Sequence, residues 1–165
     1  MSAIEFDPVD AIGAGAFGVP GRRTFVIQAR KGEAMLSVLV EKEQVRMLVT
    51  EAGQFLDRLA DDDPEEPIPD PVTVTADEPL FRARLIGIGY DAERRLVLIE
   101  LRESADEEGP ADAEAEGFVA RLYATRPQVR AMARGGTAAV ESGRPDCPLC
   151  EFPMDPAGHV CPRLN

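Results

Sequence analysis

The chain has no tryptophan, two tyrosines, one histidine and three cysteines among 165 residues. So few aromatics leave no interleaving of rings and basic side chains, and base stacking on nucleic acid finds no support. No apolar run approaches the roughly 18 residues that a membrane span requires. The segment from Met1 to Asp10 lacks the basic start and apolar stretch of a signal peptide. The expectation is a cytoplasmic protein, in which thiols stay reduced and a Cys-x-x-Cys pair favours metal over disulfide.

Basic residues are missing from two acidic stretches. Asp61 to Pro79 holds eight acids and five prolines, and Glu103 to Gly117 holds seven acids, with no Lys or Arg in either. The formal charge of -12 comes from 30 acids and 18 bases, so setting aside those 15 acids leaves 15 against 18, or +3. The folded body is near neutral, and the acidity belongs to two loops expected to be irregular and solvated. A polyanionic surface for a basic partner is the sharper alternative.

The scarce histidine and cysteines stand together near the C-terminus as Cys147-Pro-Leu-Cys150, His159 and Cys161. The pattern Cys-x2-Cys-x8-His-x-Cys suits zinc, because two cysteines three apart wrap a knuckle around an ion that prefers thiolate and imidazole. His159 and Cys161, two apart, share one face of an extended segment. Four protein ligands leave no open position, so the expected site is structural Zn2+. Alternatives are free or redox-active thiols, and three cysteines with water in place of His159. With these four residues on the metal, no histidine base or thiol nucleophile remains, and no catalytic residue is assigned.

Arg22 to Arg30 aligns with Arg94 to Arg102, and Gln44-Val45-Arg46 aligns with Gln128-Val129-Arg130. The offsets of 72 and 84 differ by the longer acidic insertion of the second copy, which points to a degenerate internal duplication with strand, strand, helix in each half. Strands are expected over Arg23–Arg30, Ala34–Glu41, Arg94–Arg102 and Phe118–Ala124, with further strands at Ile4–Val9 and Phe81–Tyr90. Apolar residues at 3.6-residue spacing predict amphipathic helices over Lys42–Ala60 and Arg126–Glu141, the second weakened by Gly135-Gly136. Thr125 is a natural N-cap, and Gln44 and Gln128 are expected at equivalent helix starts. The predicted fold is α+β: an antiparallel sheet from two related halves, both helices on one face, and a C-terminal zinc knuckle. Residues 1–142 form the body, with possible duplicated units at 22–60 and 94–141, and 143–165 form the zinc-binding tail.

Several of these segments carry a resemblance. Val19-Pro-Gly-Arg-Arg-Thr-Phe25, Gln28-Ala-Arg30, Glu41-Lys-Glu-Gln-Val45, Ile88-Gly-Tyr-Asp91, Gly143-Arg-Pro145 and the tail from Cys147 to Arg163 resemble the actinobacterial domain-of-unknown-function 3090 family. The resemblance implies a soluble bacterial protein, encoded near kinase-like and histidine-phosphatase-like proteins, and supplies no catalytic residue. The chain departs from the family pattern at Glu151, where glycine is expected after the knuckle, and in ending at Asn165.

Ile12 to Gly18 contains Gly-x-Gly-x-x-Gly at Gly13, Gly15 and Gly18. A strand rather than a helix follows and kinase motifs are missing, so a flexible turn is the better reading than a phosphate loop. Arg126, Arg130 and Arg134 recur every four residues, with Arg144 just beyond, and can offer guanidinium forks to an anion or partner. The favoured function is a non-enzymatic cytoplasmic adaptor with a protein partner and no membrane contact. The first alternative is a nucleic-acid-binding zinc protein using Arg126, Arg130 and Arg134. The second is an enzyme or small-ligand binder with a cleft between the two halves, which a deep pocket lined by Tyr90, Arg22 and Arg94 would favour.

Overall fold

The computed structural model describes residues 2–59, 66–104, 117–155 and 158–164. Strands and helices run in the order β1 (Ser2–Phe6), β2 (Ala11–Phe17), β3 (Thr24–Lys31), β4 (Ala34–Val40), α1 (Lys42–Arg58), β5 (Phe81–Arg82), β6 (Leu85–Asp91), β7 (Leu96–Arg102), β8 (Phe118–Ala124) and α2 (Arg126–Glu141). The class is α+β, as the sequence predicts. The antiparallel sheet of that prediction takes the form of two four-stranded mixed sheets, ordered β1-β8-β7-β6 and β2-β3-β4-β5. Each has three antiparallel strands and takes its fourth in parallel from a distant part of the chain, β1 beside β8 and β5 beside β4. Antiparallel neighbours need only short turns, whereas a parallel neighbour must arrive from far away.

The two sheets are built on matching pairings. Ile27↔Val38 in one has its counterpart in Ile99↔Leu122, 72 and 84 residues further on. Ala14↔Ile27 likewise matches Ile88↔Ile99. Where the chain passes from one sheet to the other it stays bonded to both. Val9 and Asp10 donate their N–H groups to the carbonyls of Tyr123 and Arg30, while Ala83 and Arg84 donate to those of Leu39 and Arg102. Gln44 and Gln128 sit at equivalent helix starts. Each accepts the N–H of its helix cap, Glu41 or Thr125. Each then donates to a crossing, at 3.1 Å to the Ala83 carbonyl and 3.3 Å to that of Val9.

The core lies between the inner faces of the sheets and the helices. Ile27, Val38, Ile99 and Leu122 meet Val45, Leu48, Val129 and Met132 there, and all are buried. The Gly135-Gly136 pair has a role that helix propensity alone hides. A Cβ at Gly136 would lie 2.7 Å from Val49 Cγ1 and 3.4 Å from Ala14 Cβ. The bare backbone therefore lets α2 approach both α1 and β2.

One sequence reading is corrected. The stretch read as a flexible turn, Ile12 to Gly18, is mostly strand β2, paired with β3 along its length. Of the acidic stretches, 61–65 and 105–116 lie outside the described residues. The rest of the first, 66–79, has no helix or strand and is largely exposed, as expected, and it also packs on a sheet. It crosses the outer face of the second sheet. Val72 and Val74 stand over Gly13 and Gly15, where a Cβ would come within 3.0 and 2.9 Å of them. Buried Gln28 clamps the strap by donating to the Thr75 carbonyl at 2.7 Å and accepting its N–H at 2.9 Å. Gln28→Ala is expected to make 66–80 protease-sensitive while lowering global stability by only about 1–2 kcal/mol, since strap backbone groups freed at the surface bond water. Unchanged cleavage would mean that Val72 and Val74 hold the strap without the clamp.

Candidate metal centre

Helix α2 delivers the chain to the tail at a fixed angle. The Arg23 guanidinium donates to the Ala139 carbonyl at 2.8 Å and to Ser142 Oγ at 3.1 Å, satisfying groups at the helix C-terminus where a cation suits the dipole. Sequence reading missed this arginine, because the residues it joins lie 116 and 119 positions away. Beyond it, Gly21 passes close to Arg144, whose Nε would be 3.4 Å from an added Cβ.

The knuckle is a tight turn. The Cys147 N–H donates to the Phe152 carbonyl at 2.8 Å, and the Glu151 N–H returns to the Cys147 carbonyl at 2.9 Å. Met154 N–H closes the base on the Pro145 carbonyl at 2.8 Å. Prolines at 145, 148 and 153 limit the conformations an otherwise short segment can visit. His159 and Cys161 come from the following irregular segment, which ends in a 3-10 turn over Pro162–Leu164.

Sulfur and nitrogen converge. The ligand atoms of Cys147, Cys150, His159 and Cys161 all lie within 4.8 Å of one another, a group that can hold a metal ion. Cys147 Sγ and Cys161 Sγ are 3.9 Å apart, and Cys150 Sγ and His159 Nε2 are 3.3 Å apart. A disulfide needs about 2.05 Å, so these cysteines are free thiols. Cys147 and Cys161 are buried and the other two half-buried. The backbone N–H groups of Cys150 and Leu149 point at the Cys147 sulfur and push its thiol down to about 6. Burial, joined by the neighbouring Cys147 and Cys161 sulfurs, pushes the Cys150 thiol up. Amide donors thus spread part of the negative charge that clustered thiolates would concentrate.

Glu151 adopts φ 63, the left-handed region that glycine enters without penalty. The family's expected glycine there therefore has a backbone cause. Glu151→Gly should tighten metal retention in a chelator competition by about 1 kcal/mol, the strain of one L-residue in that region. Weaker retention would instead assign the Glu151 side chain a supporting role.

The arginines of α2 differ in what they meet. Arg126 donates to the Leu59 carbonyl at 2.8 Å and to Tyr90 Oη at 2.7 Å, and lies over the Tyr90 ring. Arg130 reaches Asp57 at 3.3 Å. Both tie α2 to the end of α1. Arg134 is exposed and joins Arg130 on a cavity of about 510 Å³ between the helices, while Arg144 stands apart beside Gly21. Arg94 is held by Asp7 and Asp91 and stacks on Tyr123.

A second missed signal lies in β2 and β6. Ile12-Gly13-x-Gly15 recurs as Ile86-Gly87-x-Gly89, and the matching pairings place the glycines at equivalent positions. No helix of the described residues is long and apolar enough to cross a membrane. A family model described as Protein of unknown function (DUF3090) matches residues 4–161. No curated protein and no solved structure matches the chain.

Proposed function

We propose that this chain, which belongs to the DUF3090 family of proteins of unknown function, is a non-enzymatic cytoplasmic interaction protein whose tail is ordered by a structural Zn2+. One observation carries the reading: two thiols and a thiol–imidazole pair face one another at 3.9 and 3.3 Å, with all four ligand atoms inside 4.8 Å. Bond lengths of about 2.3 Å to sulfur and 2.0–2.1 Å to nitrogen give tetrahedral edges of about 3.8 and 3.5 Å. The donor set is soft and complete, which suits zinc held for structure rather than for activating water.

The module has little apolar substance of its own and presents it outward. Leu149, Phe152, Val160 and Leu164 are exposed on an otherwise polar tail, as expected for a surface offered to a protein partner. The nucleic-acid reading loses support, since Arg126 and Arg130 are engaged by α1 and its end. The matched strand pairings and the paired roles of Gln44 and Gln128 favour an internal duplication as the origin of the body.

Metal analysis of protein purified without chelator tests the central claim. Near one zinc per chain, lost in Cys147→Ser, is the expected result. Metal-free protein with all thiols reactive, or a different metal at unit stoichiometry, would overturn it.

A further inference from the structure

The two matched halves treat their cations differently. Lys42 and Arg126 are the first residues of α1 and α2, and each reaches toward the end of the other helix. Arg126 donates to the Leu59 carbonyl, while Lys42 Nζ would lie 3.1 Å from a Cβ added at Gly143, the residue that corresponds to Leu59. Arg22 and Arg94 likewise correspond, one in the turn after β2 and the other in the turn after β6. In the second half both arginines find acceptors within the chain. Arg126 donates to Tyr90 Oη at 2.7 Å, and Arg94 meets Asp7 at 2.6 Å and Asp91 at 2.7 Å and lies over the Tyr123 ring. In the first half the strand registers put Phe17, Ala16 and Leu39 where Asp91, Tyr90 and Tyr123 stand. None of these three carries a side-chain acceptor. Among the described residues, the side chains of Arg22 and Lys42 accordingly make no hydrogen bond or ion pair. Arg144 joins them from the tail side: its guanidinium lies over Gly21, the neighbour of Arg22, and its own neighbour Gly143 lies beside Lys42. It too has no acidic partner among the described residues. Of the carboxylates next in sequence, Glu41 is taken by Arg82 and Glu141 lines the cavity between the helices.

We propose that Arg22, Lys42 and Arg144 form a docking site for an acidic segment of a partner protein, one that supplies a carboxylate and a tyrosine as Tyr90-Asp91 does in the other half. The inference rests on the reading of the chain as an interaction protein, but not on its zinc. Three cations from three separate segments, gathered without a counter-charge, repel one another and attract an anion. In a chain of 30 acids and 18 bases, the lack of a partner is a matter of placement rather than supply. Two of the three are arginines, whose planar forks match a carboxylate. The second half shows what such a place accepts, since the corresponding cations there already hold carboxylates on Arg94 and a phenol on Arg126. Ala16 brings neither ring nor hydroxyl to Lys42, and an incoming tyrosine supplies both. Exposed ion pairs are individually weak, so recognition draws on all three cations together. Their contribution is to select the partner and orient it beside the tail.

The test titrates isotope-labelled full-length protein with the capped peptide Gly-Asp-Tyr-Asp-Gly. Amide shifts confined to residues 18–23, 41–44 and 142–146 are expected by about 1 mM peptide, and they should fade as added salt screens the charges. The asparagine analogue Gly-Asn-Tyr-Asn-Gly should leave the spectrum unchanged. Arg22→Glu and Lys42→Glu, on side chains without internal partners, should each weaken binding about tenfold. Arg134→Glu, at an exposed arginine elsewhere, should not weaken it. The Cys147→Ser variant should still shift at 18–23 and 41–44, which separates failure of the zinc reading from failure of this one. No shift in these segments, indifference to both substitutions, or equal weakening by Arg134→Glu would overturn the proposal. So would inorganic phosphate giving the same shifts at the same concentration, because the place would then be a simple anion site. Binding seen only after deletion of 106–116 would also overturn it, since the chain's own acids would then fill the site.

Discussion

Cys150→Ser is expected to release the metal and leave residues 146–165 open to protease, with far-ultraviolet circular dichroism nearly unchanged. The tail's apolar residues are largely exposed, so with the proposed metal bound its order would rest on ligand bonds and a few backbone bonds around the knuckle. In so short a segment the energy of metal binding is folding energy, about 10–16 kcal/mol for structural zinc in isolated fingers. Loss of one ligand should reduce affinity beyond the 10–100-fold typical of substitutions around a metal's ligands. The body stands on different terms. Its buried core cluster runs from Val9 to Ala139 and includes no tail residue, and Arg23 secures the α2 terminus without help from the knuckle. Chelation should therefore reproduce the effect of the substitution. Cooperative unfolding of the whole domain on chelation would show that the module belongs to the core.

The tail was legible in the sequence because its signal is local: metal ligands are chemically rare, and their spacing constrains geometry directly. Helix starts were legible for a similar reason, since Thr125 and Gln128 are close in sequence and their capping bonds are short-range. The sheets were harder. Strand positions followed from alternation and β-branched content, but the choice between one sheet and two depended on β1 and β5 crossing to the opposite half, a fact of chain geometry that no local pattern carries. Strand β2 was hidden by composition. Its glycines and alanines have low strand propensity, and they occur there because Val72, Val74 and α2 approach too closely for larger side chains. Comparison of Ile12-Gly13-x-Gly15 with Ile86-Gly87-x-Gly89 would have revealed it. The arginine row shows the limit of such spacing: it predicts which residues lie near one another along α2, but not which of them an adjacent helix engages.

Two helical glycines should respond to substitution with opposite signs. Gly53→Ala in α1 is expected to stabilise the protein by about 1 kcal/mol, because alanine limits the unfolded chain and favours helix. Nothing lies within 4 Å of the Cβ it would add. Gly136→Val in α2 should destabilise by about 3 kcal/mol, the upper range for overpacking. Its Cβ alone would stand 2.7 Å from Val49 Cγ1, 3.2 Å from Val45 Cγ1 and 3.4 Å from Ala14 Cβ. Valine side chains in a helix have almost one permitted rotamer, so Val45 and Val49 cannot turn aside, and Ala14 belongs to a strand bonded to β3. Relief requires moving α2 away from both α1 and β2. At about 2–4 °C per kcal/mol for a chain of this size, calorimetry should separate the two variants by roughly 8–16 °C. Equal and small shifts would mean that α2 slides freely over β2, and the close approach of the glycine pair would then not be what distinguishes this helix from α1.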